Sequence, residues 1–444
     1  MHRREVLVGA AAAALIPLGS SAVAASLAVS SALSPLAEAA REAYIYTLPL
    51  IESAAARAAV VTGQKQAPGT LFRLRQPTTP ATQRVTTPNN DTLNARGWFD
   101  LAAGPVRLTL PATGDRYVSV AMMDMYSNNF AVLGSRTTGP DGGTFTIVGP
   151  GLAAPSEAIR SPTRWMWVLI RLLTTGGADL GPARAMQDAF TVEAPAFSGS
   201  LATYSRRDAS WSNYFLSAAK LLAENPPPAT DRAILRRIAQ LGLAEFTATR
   251  FSPAQAADIA AGVAEAKRQL LTGAEQGPVV AGWAYPRSTL GNFAQDYAYR
   301  AQTALNGFAA LPVDEAIYLF AAGPRGDMRL DSSQRWRLRL AGDRLPPVDA
   351  FWSLTMYRAT TDGQFFLFDN PINRYSIGDR TPGLLRTTDG SLQLLLQRDA
   401  PASGANNWLP TPLDGPFGVV FRCYRPRPAL RDGEYRLPPL EHIV

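Results

Sequence analysis

The spacing of apolar positions changes twice along the chain. Residues 26–60 are alanine-rich with apolar residues at helical spacing, and Pro49 marks a break or kink. Residues 64–92 are polar, with repeated Thr-Pro steps. From Thr92 to Val148 the period falls to two. The segments WFDL, VRLTLP, YVSVAMMD and TFTIV read as short strands, separated by Gly-Pro, Thr-Gly-Asp and Asp-Gly-Gly turns. RWMWVLIRLL (164–173) is a further strand, apolar enough to bury both faces.

Residues 180–310 return to the helical period, in GPARAMQDAF, NYFLSAAKLLAE, TDRAILRRIAQLGL, SPAQAADIAAGVAEAKRQLLTG and NFAQDYAYRAQTALNGF. Thr230-Asp231 and Ser252-Pro253 are helix starts. From about Asp314 strands resume: AIYLFAA, WRLRLAG, AFWSLTMY, QFFLFD, LQLLLQ and FGVVFRCY. Turns such as Asp362-Gly363 and Asp389-Gly390 divide them, at the close spacing of a sandwich or jelly roll. The expected class is α+β, mainly β. The expected layout is N-terminal helices (25–63), a β-sandwich (64–178), a helical insertion (179–312) and a second β-sandwich (313–444).

The first 24 residues read as a leader. A basic MHRRE start precedes a short apolar run and the Ala22-Val23-Ala24 cleavage pattern. The Arg3-Arg4 pair fits a twin-arginine signal. The competing reading is an anchor that is never cut. No later segment has eighteen consecutive apolar residues. The expectation is therefore an exported mature chain without a transmembrane segment, periplasmic or secreted; a homo-oligomer stays open.

Charge narrows the partners. The formal net charge is +7, and only Lys65, Lys220 and Lys267 are lysines, so 43 − 3 = 40 of the basic residues are arginine. They are scattered among Asp and Glu without a dense run, which argues against nucleic acid and leaves small anionic molecules. Cys423 is the lone cysteine, and the two histidines, His2 and His442, lie at the ends of the chain. No cysteine or histidine metal site is expected, and the usual general base is missing from the body of the protein.

Phosphate-loop, dinucleotide, nucleophile-elbow and zinc motifs are all absent. Ser217-Ala-Ala-Lys220 matches S-x-x-K without its companion signatures and reads as an ordinary helix face. Two polar clusters remain. One is TPNNDTLNARGW (87–98), continued by DMYSNN (124–129) and Arg136. The other is DNPINRYSIGDR (369–380), continued by NNWLP (406–410).

These clusters support two readings. Asn and Asp beside proline make Asx turns that tie down their own backbone. Alternatively, the side chains line a cleft. Arg96, Arg136 and Arg374 would then grip a carboxylate or phosphate. Asn90, Asn128 and Asn373 would be neutral donors, Tyr126 and Tyr375 phenols, and Trp98, Trp352 and Trp408 apolar walls. Asp91 and Asp124 are the best carboxylates for general-base work or for a hard cation such as calcium, with Tyr375 beside them as a catalytic candidate. Asp124 follows an apolar strand, so burial should raise its pKa.

The same clusters carry a resemblance. The run TPNNDTLNARGWFDLAAGPVRLTLPATGDRYVSVAMMDMYSNNFAVLGSRTTG resembles the domain of unknown function numbered 1254. PPVDAFWSLTMY, DNPINRYSIGDRTPGL, DGSLQLLLQ and NWLPTPLDGPFGVVFRCYRP resemble domain 1214. The resemblance implies an exported bacterial protein with an immunoglobulin-like sandwich, a helical insertion and a jelly-roll-like sandwich. It implies no settled reaction; members have been suggested to act on phosphorylated or other anionic small molecules. This chain has Asn94 where the family commonly has an aromatic, and Arg358 where it commonly has an acid. Three functions stay open: a hydrolase or lyase acting on an anion, a non-catalytic binding protein, and a structural envelope component.

Overall fold

The structure, a computed structural model, describes residues 33–81, 86–272, 277–321, 329–361 and 363–443. The leader read in residues 1–24 lies outside the described residues. The protein is α+β, with most of its ordered elements strands in four sheets.

The first sheet has the order 72–73, 92–100, 165–173, 118–123, 129–134, antiparallel throughout. Its inner face packs on a second sheet of strands 159–160, 143–148, 106–110 and 191–193. Leu93, Phe99, Val120 and Ile170 from the first sheet and Leu108 and Ile147 from the second share one core. Strand Trp165–Leu173 buries Met166, Val168, Ile170 and Leu172 fully, and leaves Trp167, Leu169 and Arg171 half-buried on the outer face. The sequence expectation of two buried faces therefore holds for one.

A third sheet is built on the long central strands Val348–Ala359 and Pro416–Pro426, flanked by Ala316–Ala321 and shorter pieces. A fourth, of strands 408–410, 392–397, 335–340 and 440–443, covers one face of it. Leu354 and Phe421 of the third sheet and Leu338 and Leu394 of the fourth meet in a second core.

Most of the helices form a separate layer against the outer face of the first sheet; Leu180–Asp188 instead packs into the core of the first two sheets through Ala183. The axis of the layer is helix Pro35–Ala58, capped by Ser34 and started by Pro35, as expected of an N-terminus. Pro49 does not break it; the helix runs through. Proline removes one N–H, but Leu48, Leu50 and Ile51 on either side are buried in the helical core, and that packing outweighs one lost bond. Helix Pro253–Leu271 begins at Ser252 with a full capping box to Gln255, as its sequence predicts. It crosses the first helix closely at Gly262, where an added Cβ would sit 2.0 Å from the Ala37 carbonyl. A helix does start at Asp231, running Arg232–Arg237, but the Asp231 carboxylate makes no cap bond and accepts from the Tyr46 and Tyr297 hydroxyls instead. The middle region is also not wholly helical, since Thr191–Glu193 is a strand of the second sheet.

Candidate functional site

The segment 86–91, TTPNND, leads into strand 92–100 of the first sheet and crosses the face of the third sheet that the fourth does not cover. Proline, two asparagines and Thr87 at φ +46° keep it out of regular structure, so its backbone groups need partners outside the segment. They find them across the seam. The Thr87 N–H donates to the Phe365 carbonyl (2.8 Å), and the Phe365 N–H to Thr86 Oγ1 (3.0 Å). The Tyr357 hydroxyl donates to the Pro88 carbonyl (2.8 Å), and Arg422 to the Thr87 carbonyl (2.9 Å). Asn89 Nδ2 donates to the Tyr424 hydroxyl (2.7 Å). Asp91, nearly fully buried, ends the crossing. It accepts from Ser353 Oγ at 2.7 Å and from Arg380 at 3.4 Å.

Arg380 also lies 3.8 Å from Asp379 and stacks on Phe351, 4.0 Å from the ring centroid. Burial pushes the Asp379 carboxyl up to about 6; Arg380 and the Trp352 N–H pull it down, and Asp91 adds to the rise. Arg422 is buried and held by neutral oxygens, Thr355 Oγ1, Tyr357 Oη and the Thr87 carbonyl.

The first sheet brings a third arginine to this seam. Asn94, Arg171 and Ser119 stand opposite one another on three neighbouring strands and form one row on the outer face. Arg171 NH2 donates to the Ala309 carbonyl (2.8 Å), while its NH1 is buried with no hydrogen-bond partner among the described residues. Its charge is felt at Tyr424, across the seam. The sequence contained a signal for this residue: one arginine inside the otherwise apolar WMWVLIRLL. Ser353, Arg380, Arg422 and Tyr424 were likewise not singled out, because alternation in a strand does not say which loop will cover its outer face.

The residues to which the sequence points divide between several places. Asp91 is in the seam. Asn90 holds its own loop, donating to the Thr78 carbonyl (2.6 Å). Asp124 is buried and caps its turn, accepting from the Asn128 N–H (2.9 Å) and side chain (3.3 Å). Burial raises its pKa to about 6, against the pull of Asn128 and Arg300. Asn128 Oδ1 also accepts from the Phe293 N–H. Tyr126 donates to the Asn225 carbonyl, under Arg300. Arg136 pairs with buried Glu315 at 2.6 Å. Arg96 reaches Gln64 and lies over Phe72. Trp98 stacks on Trp167, with ring centroids 5.4 Å apart.

In the second cluster, Trp352 stacks on Phe421 inside the core. Arg374 donates to the carbonyls of Ala405, Asn406 and Trp408, clipping that loop rather than facing Asp91. Asn373 has φ +50° and accepts from the Tyr375 hydroxyl (3.4 Å). Trp408 Nε1 donates to the Gln397 carbonyl. The two clusters do meet, but through Asp91 and Arg380 rather than Asp91 and Arg374. Among the described residues no group of three His, Cys, Asp or Glu side chains is placed to hold a metal ion. Two surface hollows of ≈ 440 and ≈ 380 Å³ lie on the helical layer, near Arg250 and Lys220, away from all of these residues.

Comparison with known proteins agrees with this architecture. Residues 68–194 match the model of a protein of unknown function, DUF1254, and residues 315–428 match another, DUF1214. The chain has no match among curated proteins. Its fold is similar to the crystal structure of the VPA0106 protein from Vibrio parahaemolyticus. That similarity has a TM-score of 0.71 at 24% identity, over 92% of this chain and 100% of that one. A putative uncharacterized protein from Burkholderia cenocepacia matches at a TM-score of 0.43 and 11% identity, over 92% of this chain and 94% of that one. The chain belongs to the proteins that join an N-terminal DUF1254 region to a C-terminal DUF1214 region.

Proposed function

We propose that this chain is an exported, non-catalytic protein that binds a small anionic molecule in the seam between its two β units. The observation that carries the reading is Arg171, a half-buried arginine with a buried, unpartnered NH1 among the described residues. A guanidinium has donors only, so what this site lacks is an acceptor. Arg422, held by neutral oxygens, keeps the seam positively polarised. The carboxylates best suited to chemistry are already engaged: Asp124 caps its own turn and Asp91 is held by Ser353 and Arg380. Export rests on the Arg3-Arg4 leader and its Ala22-Val23-Ala24 cleavage pattern.

A hydrolase or lyase is the second reading. It is favoured by Asp379, which lies at the surface, is raised to about 6 and shares Arg380 with Asp91. Thermal shift against phosphate esters, polycarboxylates and lactones tests both. Binding predicts that an anion at a hundredfold excess over its Kd stabilises the fold by about 2.7 kcal/mol. That gain should vanish in Arg171→Gln, and no product should form. Turnover abolished in Asp379→Asn establishes the enzyme. No stabilising anion, or stabilisation that persists in Arg171→Gln, sinks the seam.

A further inference from the structure

The turn after strand Ser376–Gly378 sets two opposite charges side by side at the seam. Gly378 pairs with Ser353, and an added Cβ would lie 2.2 Å from the Trp352 carbonyl, so the turn is seated directly on strand 348–359. The Gly378 N–H donates to Thr381 Oγ1 and the Thr381 N–H to the Gly378 carbonyl, both at 2.9 Å. This closure turns Asp379 back onto the Trp352 N–H, which lies 3.3 Å from each carboxylate oxygen. It also lays Arg380 on the Phe351 ring, facing Asp91.

Arg380 is divided between two carboxylates. It stands 3.4 Å from Asp91 and 3.8 Å from Asp379, whereas the Arg136–Glu315 pair closes to 2.6 Å. Two carboxylates that share one guanidinium compete for it, and the loss of one charge hands it to the other. The two are not equally open to water: the Asp379 side chain is 32% exposed and that of Asp91 only 3%. The groups that face Asp379 are Arg380 from its own turn, Asp91 from segment 86–91, and Cys423 from strand 416–426. Burial pushes the Cys423 thiol up and keeps it neutral, so Asp379 is the member of this set that exchanges a proton with solvent near neutral pH.

The charge of Asp91 reaches Arg422 and Tyr424, and that of Arg171 reaches Tyr424 from the other side of the seam. The cluster therefore holds three guanidinium groups against two carboxylates. Resting on the binding reading above, we infer that Asp379 is the proton-controlled regulator of this seam: protonated, it gives Arg380 wholly to Asp91 and leaves the seam one charge more positive; ionised, it divides Arg380 and weakens the hold on an anion. With its carboxyl raised to about 6 by burial, the change falls between neutral and mildly acidic pH. The coupling is reciprocal, so an anion entering the seam draws a proton onto Asp379.

Calorimetric titration of the full-length protein with sulfate, whose charge is constant over this range, tests the regulation. From about pH 7.5 to about pH 5 the Kd should fall about tenfold, the effect of one pKa unit of coupling. Near pH 6.5, titrations in buffers of different ionisation enthalpy should show about half a proton taken up per sulfate bound. Asp379→Asn, neutral at every pH, should bind at the higher pH as the unaltered protein does at the lower, and should take up no proton; Asp379→Ser serves if that variant does not fold. Equal Kd at both pH values, or a pH dependence that persists in the neutral variant, overturns the regulation and leaves anion binding standing. Absence of sulfate binding at either pH overturns both.

Discussion

Two loops of nearly the same composition do different work in this protein. Residues 86–91 and 370–374 both combine asparagine with proline and sit at strand ends. The second closes on itself. Asn370 Oδ1 accepts from the Arg374 N–H, and Asn370 Nδ2 donates to the Arg374 carbonyl, each at 3.0 Å. The first spends its hydrogen bonds on another sheet, reaching Phe365, Tyr357, Arg422, Tyr424 and Ser353. Turn chemistry explains the backbone of the second, and its Arg374 side chain clips the neighbouring loop 405–408. The first needs a partner surface, and removing that surface exposes the difference.

The largest effect should come from Arg422→Ala. It leaves the Thr87 carbonyl and two hydroxyls without their buried donor, and should lower stability by about 4 kcal/mol in the first urea transition. A loss under 1 kcal/mol would mean that segment 86–91 does not couple the two β units. Asp91→Asn should cost about 3 kcal/mol, because Arg380 then loses a buried partner. Arg374→Ala touches only the clip on 405–408 and should cost about 1 kcal/mol. If it proves as damaging as Arg422→Ala, the contrast between the two loops fails.

The remaining effect is a pH dependence, and its sign follows from burial. Asp379 and Asp124 are both raised to about 6 from 3.8. Below about 4 each is protonated in the folded and the unfolded chain alike. Between about 4 and 6 the unfolded chain has released these protons and the folded chain still holds them. These two groups therefore contribute a fall in stability as pH rises through that window. Asp379→Asn should reduce the slope, as read from urea midpoints at pH 4, 5 and 6. An unchanged slope would show that Asp379 is ionised as easily as an exposed carboxylate.

Part of this was legible in the residues. The helix start at Ser252, the strands at 106–110, 118–123 and 165–173, the end of the strand at 92–100, and the helix at 253–271 all follow from local spacing and local caps. Asn129–Gly134 was missed as a strand because NFAVLG shows no alternation. Pro49 misled because its effect depends on what surrounds the helix. In the candidate site, Asp91 was legible as a carboxylate in a polar cluster, but its partners Ser353 and Arg380 lie more than 250 residues away. Arg374 looked like a ligand clamp because its fork is free in sequence; in space it meets three carbonyls.

The sequence by itself determined the order of elements, the absence of cysteine and histidine chemistry from the body of the chain, and the supply of arginine. These depend on residue type and near neighbours. Only the tertiary structure decided which arginines are spent and which are left over. A side chain's hydrogen bonds are made with whatever the fold brings beside it. Arg374 and Arg171 are the same residue type, and the fold gave one three carbonyls and left the other a buried donor without an acceptor among the described residues.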